Sequence, residues 1–330
     1  MNRLHIVPLL ALFLVTLALP APAHSQDVLI RNARVHTLTA QGTLERADVL
    51  LRGGRVVEVG SGLAAAGAQV IEANGRPLTP GLFGGITGLG ISEIELESST
   101  VDRAALVDSQ ASGPGFVPRP EFDVTLAFNP DSAVIGVNRA EGITFAMIAP
   151  MASGTLFAGQ GAVARLDGSD SPFVAASRTQ FLDMGPSATD GVGYSRGAQF
   201  MLLEQATREA LPGKPLQAGD VRLLTPTGRE VFARYLAGGR MAFAVDRAAD
   251  IRQVVEFAAR HGVRPMIVGG AQASQVASLL ALSKVPVRAD VAMTGEITLR
   301  GEVRAIVLRL GPVTHSCDAE QRWLTHTEIL

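Results

Sequence analysis

The hydrophobic pattern of this 330-residue chain changes at Thr79, and the change separates two kinds of fold. Before Thr79, short alternating runs with Gly-rich turns predict β-strands, and the Gly53-Gly54 pair predicts a hairpin turn. After Thr79, apolar runs alternate with segments of helical period, which is typical of parallel βα units. The sequence therefore predicts a small β domain over 26–80 and an α/β domain over 81–288.

The α/β domain is predicted in some detail from its periodicity. Strands are predicted at 82–89, 141–150, 159–167, 240–246 and 264–269, and helices at 132–139, 193–211, 230–236, 248–261 and 271–282. Residues 91–132 contain Gly-Pro-Gly and Pro-Arg-Pro and predict a long loop. This alternation predicts a parallel sheet with helices packed against it.

The first 25 residues have the pattern of a secretory signal peptide. A positive start at Arg3 is followed by a short apolar run over 6–19 and by Ala23-His24-Ser25, which places small residues at the cleavage site. We expect cleavage before Gln26 and a periplasmic or secreted protein. An uncleaved N-terminal anchor is the alternative.

Composition narrows the chemistry that is open to the chain. Hydrophobic residues make up 47% and the net charge is -2, which predicts a folded protein without a nucleic-acid partner. Lys214 and Lys284 are the only lysines, and Arg cannot form a Schiff base. Cys317 is the only cysteine, so no internal disulfide can form.

The stretch from Thr79 to Gly90, Thr-Pro-Gly-Leu-Phe-Gly-Gly-Ile-Thr-Gly-Leu-Gly, resembles the first barrel strand of the amidohydrolase superfamily. There the pattern is Thr-Pro-Gly-Leu-Ile-Asp-x-His-x-His. The resemblance covers about 27–287 and is of the metal-dependent, imidazolonepropionase-like kind. It implies a (β/α)8 TIM-like barrel preceded by a small β-sandwich, and hydrolysis of carbon-nitrogen bonds other than peptide bonds. About six or seven barrel strands are recognisable, so an incomplete barrel is the alternative to a closed one.

The same resemblance implies that the metal ligands are missing. The family's acidic residue and paired histidines fall at Gly84, Ile86 and Gly88, and later histidines fall at Ala244 and at Gly269 or Gly270. Zinc in a catalytic site needs about three protein ligands. We therefore predict no metal, no cofactor and no catalytic residue of the family type.

Three polar residues remain at predicted strand ends, where barrel enzymes place their sites. Thr87 lies near the end of the predicted first strand, Asp246 ends a later one and Arg247 follows it. We predict that these three bind a small-molecule ligand. The alternative is that Asp246 and Arg247 cap the next helix and pair with Asp250.

A second resemblance begins near the C-terminus. The run from Asp290 to Val303, Asp-Val-Ala-Met-Thr-Gly-Glu-Ile-Thr-Leu-Arg-Gly-Glu-Val, is similar to the proteolytic domain of Lon proteases, and 285–303 fits that family. Lon chemistry implies a Ser–Lys pair, but no lysine follows Lys284. Gly185-Pro186-Ser187-Ala188 spells the serine motif far from this run. Residues 289–330 are therefore interpreted as a Lon-like fragment and an unassigned tail, joined by fusion or a frame error.

The leading functional prediction is an amidohydrolase-like protein that is metal-free and catalytically impaired. It would bind a small ligand or associate with an active relative, and it would have no stable membrane span after signal cleavage. Three alternatives stay open at this point: an active metal hydrolase with unrecognised ligands, a Lon-like serine peptidase fragment, and a fusion product without function.

Overall fold

The structure is a computed structural model, and it describes residues 27–105, 118–152, 154–186, 195–211, 222–283, 293–297 and 303–307. The chain divides into two compact units between Gly81 and Leu82. The predicted signal peptide, both lysines, Ser187 and Cys317 lie outside the described residues.

The first unit is a five-stranded sheet. Its strands are β1 (Val28–His36), β2 (Thr43–Arg52), β3 (Arg55–Gly60), β4 (Gln69–Glu72) and β5 (Pro77–Leu78). The order is β3-β2-β1-β4, with β5 also beside β1. The predicted hairpin is confirmed, because Arg52 pairs with Arg55 and both Gly53 and Gly54 have positive φ. The described residues form one sheet in this unit, and the second sheet of the sandwich stays a prediction.

The second unit is built on a six-stranded mixed sheet. Its strands are β6 (Leu82–Thr87), β7 (Ile143–Ile148), β8 (Phe157–Arg165), β9 (Thr179–Asp183), β10 (Arg240–Val245) and β11 (Arg264–Gly269), in the order β11-β10-β9-β8-β7-β6. β6 and β7 are parallel, as are β9, β10 and β11, whereas β8 is antiparallel to both of its neighbours. The sheet is curled like half of a barrel.

Helices cover one face of this sheet. They are α1 (Ala133–Ala140), α2 (Arg196–Ala210), α3 (Pro226–Leu236), α4 (Ala248–His261) and α5 (Ala277–Leu282), with 3-10 turns at Ser98–Thr100, Val124–Ala127 and Ala273–Val276. Local sequence sets their ends: the hydroxyls of Ser195 and Thr225 accept N-terminal amide hydrogen bonds, and Gly262 ends α4 in the left-handed conformation.

The prediction of parallel βα units is wrong at the third strand. Residues 149–156 between β7 and β8 are too few for a crossover helix, so the chain turns back and β8 runs antiparallel. β9 was not predicted at all, although Thr-Gln-Phe-Leu-Asp is a short run that fits a buried strand. The complete eight-stranded barrel stays a prediction.

The two faces of the six-stranded sheet bury different side chains. A helix-side cluster under α2, α3 and α4 contains Phe232, Phe243 and Phe257, all fully buried. The opposite face carries a smaller inner-face cluster: Met147, Ala149, Ala158, Phe181 and Ala242, with Phe83, Ile86, Ala152, Val163, Met266 and Val268 packed against it. The inner face is therefore apolar.

Two further strands lie in the Lon-like stretch. β12 (Met293–Ile297) and β13 (Val303–Val307) form an antiparallel pair. In the described part of the chain they form a separate two-stranded sheet. The suggestion that residues 289–310 supply missing barrel strands stays a prediction.

Candidate functional site

The carboxyl ends of β6, β7, β9, β10 and β11 lie at the same edge of the sheet, which we call the carboxyl edge. Antiparallel β8 enters the sheet at this edge. The edge brings together the ends of strands that are far apart in sequence, from Thr87 to Gly269. Sites of α/β proteins form where parallel strands end. All three predicted site residues lie here.

Thr87 is the last residue of β6 and is half-buried. Its hydroxyl oxygen accepts from the Leu89 amide at 3.3 Å, and its carbonyl accepts from Ala149 at 3.0 Å. The first bond closes the turn after β6, and the second joins the end of β6 to the residue that follows β7. The hydroxyl can still donate one hydrogen bond to a ligand.

Asp246 stabilises the turn after β11. Its Oδ1 accepts from the Ala271 amide at 3.2 Å, and its carbonyl accepts from the Gln272 amide at 2.9 Å. A Cβ at Gly269 would lie 2.6 Å from Asp246 Oδ1, so glycine is required beside this carboxylate. Gln272 Oε1 in turn accepts from Ala248 N at 3.0 Å. These hydrogen bonds connect the loop after β10 to the loop after β11.

Arg247 is half exposed and pairs with Asp250, with Nε 3.7 Å from Oδ2. Arg196 approaches the same oxygen at 3.1 Å, and Asp250 itself is buried. The structure therefore contains the Asp250 ion pair of the alternative interpretation, whereas Asp246 caps the neighbouring turn rather than α4. Ligand binding by these residues stays a prediction.

Asp183 also lies at the carboxyl edge and was missed from the sequence. It ends β9 and lies beside Ala244 of β10, and its Oδ1 accepts from the Gly185 amide at 2.7 Å. Ala244 is the position that the resemblance assigns to a strand histidine. The available signal was an Asp at the end of a short apolar run.

Neighbouring side chains pack closely around Gly84, Ile86 and Gly88, three of the positions that the resemblance assigns to metal ligands. A Cβ at Gly84 would lie 2.7 Å from the Ile143 side chain, and one at Gly88 would lie 2.5 Å from Cδ of Arg103. Ile86 packs against the inner-face cluster. Within the described ranges, no three His, Cys, Asp or Glu side chains come together as a metal site would require. Gly84, Ile86 and Gly88 carry no side chain that could coordinate zinc.

Arg103 is a further cation near the end of β6, and it was not among the predicted site residues. Its carbonyl accepts from the Met151 amide at 2.8 Å, so the loop is held against the segment that follows β7. Its guanidinium pairs with Glu95, which also accepts from the Ser92 hydroxyl at 3.0 Å. The side chain is 23% exposed, and among the described residues its buried Nε meets no hydrogen-bond acceptor. The surrounding loop has no periodicity that could have predicted this placement.

A separate polar network connects β8 to α3. The Tyr235 hydroxyl donates to Gln160 Oε1 at 2.9 Å, and Gln160 Nε2 donates to the Glu121 carbonyl at 3.2 Å. Thr225, the N-cap of α3, donates to Glu121 Oε1 at 2.6 Å. Burial raises the pKa of Tyr235 to about 12. The network stabilises the packing of a helix on the sheet.

A cavity of about 380 Å³ lies elsewhere in the second unit. Phe128 and Phe173 form part of its wall, edge to face with ring centroids 5.3 Å apart. Thr125, Asp170 and Ser171 supply its polar groups. None of the predicted site residues lines it.

Comparison with known proteins supports the fold more strongly than any activity. A crystal structure of an amidohydrolase from Thermotoga maritima MSB8 superposes with a TM-score of 0.63 at 23% identity, over 79% of this chain and 69% of that one. This chain therefore shares the fold of that protein over most of its length. A triazine hydrolase from Arthobacter aurescens (TM-score 0.25, 16% identity, 74% of this chain and 53% of that one) and a dihydroorotase (0.28, 12%, 79% and 70%) are too distant to add to this.

The sequence comparisons give one partial match. Residues 266–319 match the Lon protease (S16) C-terminal proteolytic domain, which includes the Lon-like 285–303 stretch found above. A search of curated proteins gave no match. The family match starts within β11, so it overlaps the end of the six-stranded sheet and α5.

Proposed function

We propose that this protein is an amidohydrolase-fold protein that does not use a catalytic metal, and that it binds a small molecule at the carboxyl edge or acts beside an active relative. The observation that carries the proposal is the packing at Gly84, Ile86 and Gly88, where neighbouring side chains take the space of ligands. The fold supports descent from hydrolases of non-peptide carbon-nitrogen bonds. A completed barrel, a β-sandwich before it and a periplasmic or secreted location belong to the same proposal.

The proposal also includes the prediction that the mature chain has no stable membrane span. No helix in the part that the structure describes has the length and apolar character needed to cross a membrane. The location itself depends on the predicted signal peptide, which lies outside the described residues.

The effect of added zinc on the melting temperature of the purified chain tests the proposal. A ligand that binds only the folded state raises the melting temperature, and at 100 times Kd the stabilisation is about 2.7 kcal/mol. We expect no shift with added zinc, no stoichiometric bound metal by elemental analysis, and no hydrolysis of amide or ester substrates that a chelator abolishes. A zinc-dependent shift together with chelator-sensitive turnover would establish the active metal hydrolase instead.

The Lon-like peptidase is the second candidate, because residues 266–319 match that domain. Its mechanism needs a lysine within hydrogen-bond reach of the serine, and no lysine follows Lys284. Casein included in the same assay separates the two candidates. Cleavage of casein that is lost on Ser187→Ala would favour the peptidase. The lack of any cooperative melt would favour a fusion product without function.

A further inference from the structure

Two phenylalanine rings supply most of the apolar wall of the cavity of about 380 Å³ in the second unit. Phe128 and Phe173 also pack against a buried apolar cluster of this unit. The Asn129 amide donates to the Gly90 carbonyl at 2.7 Å, and a Cβ at Gly90 would lie 2.5 Å from the Phe128 ring. Phe173 forms a β-bridge with Ala164 of β8. Backbone contacts therefore hold both segments that carry the rings.

The polar groups of the cavity all offer hydrogen-bond acceptors. Asp170 is exposed, and its carboxylate has no ion-pair or hydrogen-bond partner within the described part of the chain. The Thr125 hydroxyl donates its proton to Asp123 Oδ1 at 2.7 Å, so its oxygen remains free to accept from a ligand. Ser171 supplies a second hydroxyl. No Lys, Arg or His is among the described residues that line the cavity.

Two arginines are bonded to segments beside the cavity, and both already have acidic partners. Arg178 pairs with Asp123, the residue that holds the Thr125 hydroxyl. Arg165 pairs with Asp167 at 3.1 Å and also donates to a carbonyl of the segment 170–173. The lining itself therefore carries a net negative charge, which comes from Asp170.

These groups match an ammonium ion with an apolar body. An alkylammonium group has three donors and no acceptor, so it complements a carboxylate and two hydroxyl oxygens. The faces of aromatic rings attract cations within roughly 6 Å. Pro130 and Pro172 add to the apolar wall, and the volume lies in the range of roughly 300 to 1,000 Å³ that is usual for small-molecule sites. An anion would meet no counter-ion in this lining.

We propose that this cavity binds small primary amines, with the ammonium group at Asp170 and the apolar body against Phe128 and Phe173. Nothing given by the amidohydrolase fold assigns a ligand to this place. The lining contains none of Thr87, Asp246 and Arg247, so the site is separate from the carboxyl edge and does not depend on the proposed function.

Ligand-observed NMR titrations of the full-length chain with three probes of similar shape test the proposal. Phenethylamine is a cation, phenethyl alcohol is neutral and phenylacetate is an anion. We expect the amine to bind about tenfold more tightly than the alcohol, because it adds an ion pair and a cation–π contact. We expect no binding of phenylacetate.

Asp170→Asn keeps the size of the side chain and removes its charge. It should weaken binding of the amine about fivefold and leave binding of the alcohol unchanged, which also shows that the cavity is intact. Glu256→Gln is the matched control, because it makes the same change in net charge at an exposed position of α4 that does not line the cavity. This control should bind both probes as the wild-type chain does.

Four results would overturn the proposal. They are a wild-type chain that does not bind the amine, an alcohol or phenylacetate that binds as tightly as the amine, an Asp170→Asn chain that binds the amine as well as wild type, and a Glu256→Gln chain that loses as much affinity as Asp170→Asn. The last result would mean that the amine responds to the net charge of the protein rather than to this cavity.

Discussion

The two halves of the six-stranded sheet differ in strand direction and in the regularity of their pairing. In the half formed by β9, β10 and β11, all strands are parallel and pair residue by residue without a break. In the half formed by β6, β7 and β8, one strand is reversed, and bulges interrupt the pairing of β6 with β7 and of β8 with β9. The regular half lies under α2, α3 and α4, whereas a short helix and loops cover the irregular half.

The difference shows which part of the sheet keeps the parallel βα repeat and which part departs from it. The regular half buries large aromatic side chains against long helices, and its stability depends on that core. The irregular half contains Gly84, Ile86 and Gly88, three of the positions that the amidohydrolase resemblance assigns to metal ligands. Bulges commonly lie beside sites because they redirect side chains. Thr87 thus lies beside irregular backbone, whereas Asp183, Asp246 and Arg247 lie at the ends of strands in the regular half.

The largest expected effect tests the core of the regular half. Phe232 of α3 is fully buried and meets Phe157 edge to face at 4.9 Å. Phe232→Ala should lower the free energy of unfolding by about 4 kcal/mol, because it removes an aromatic ring and leaves a cavity. Phe128→Ala, at a half-buried ring on the irregular half, should cost about 1 to 2 kcal/mol. Equal costs in urea titrations would contradict the comparison.

Alanine substitutions at two glycines of the irregular half are expected to have opposite effects on stability. A Cβ at Gly161 of β8 would overlap the carbonyl oxygen of Ile148, so Gly161→Ala should destabilise the fold by about 3 kcal/mol. Gly136 of α1 has open space around its Cβ, and Gly136→Ala should stabilise by about 0.5 to 1 kcal/mol. Chemical unfolding of both variants gives the signs. A tolerated alanine at 161 would mean that β8 does not lie this close to β7.

The smallest effect probes the contact between the halves, where Tyr235 of α3 reaches Gln160 of β8. Burial raises the pKa of Tyr235 to about 12, so the unfolded chain loses this proton first, near pH 10. Stability should therefore fall as pH rises from 10 toward 12, by about 1.4 kcal/mol at pH 11. Urea unfolding at pH 8 and 11 measures it.

Tyr235→Phe is the control for that titration, because it removes the ionising group and keeps the ring. Other groups that titrate in this range, including both lysines, are the same in the two chains, so their contribution cancels in the difference. A wild-type chain that loses no more stability than Tyr235→Phe would show that the hydroxyl is not buried against Gln160.

Elements with a strong period were predicted well. The predicted helix over 248–261 coincides with α4, because apolar residues recur at helical spacing and Gly262 ends it. The strand at 264–269 coincides with β11, and 240–246 differs from β10 by one residue. The predictions failed where the local pattern is weak: β9 is short, and α3 begins at Pro226, ahead of the predicted 230, because Thr225 caps it.

The candidate site was predicted in part. Thr87, Asp246 and Arg247 were placed at strand ends by periodicity together with the amidohydrolase resemblance, and all three lie at the carboxyl edge. Asp183 was missed together with its strand, and Arg103 was missed because it lies in an irregular loop. The residues adjacent to Arg103 in sequence do not indicate which strand its side chain will contact. That information lies in contacts between residues that are distant in sequence.

The sequence by itself determined the change of pattern at Thr79, the helices with clear caps, and the residue types at the metal-ligand positions. These follow from local periodicity and side-chain chemistry, which act over a few residues. Only the tertiary structure decided that β8 runs backwards, that Asp183 lies beside Ala244, and that Arg103 fills the space above Gly88. Each of these depends on which segments meet in space, and packing between distant segments leaves no periodic trace in the sequence.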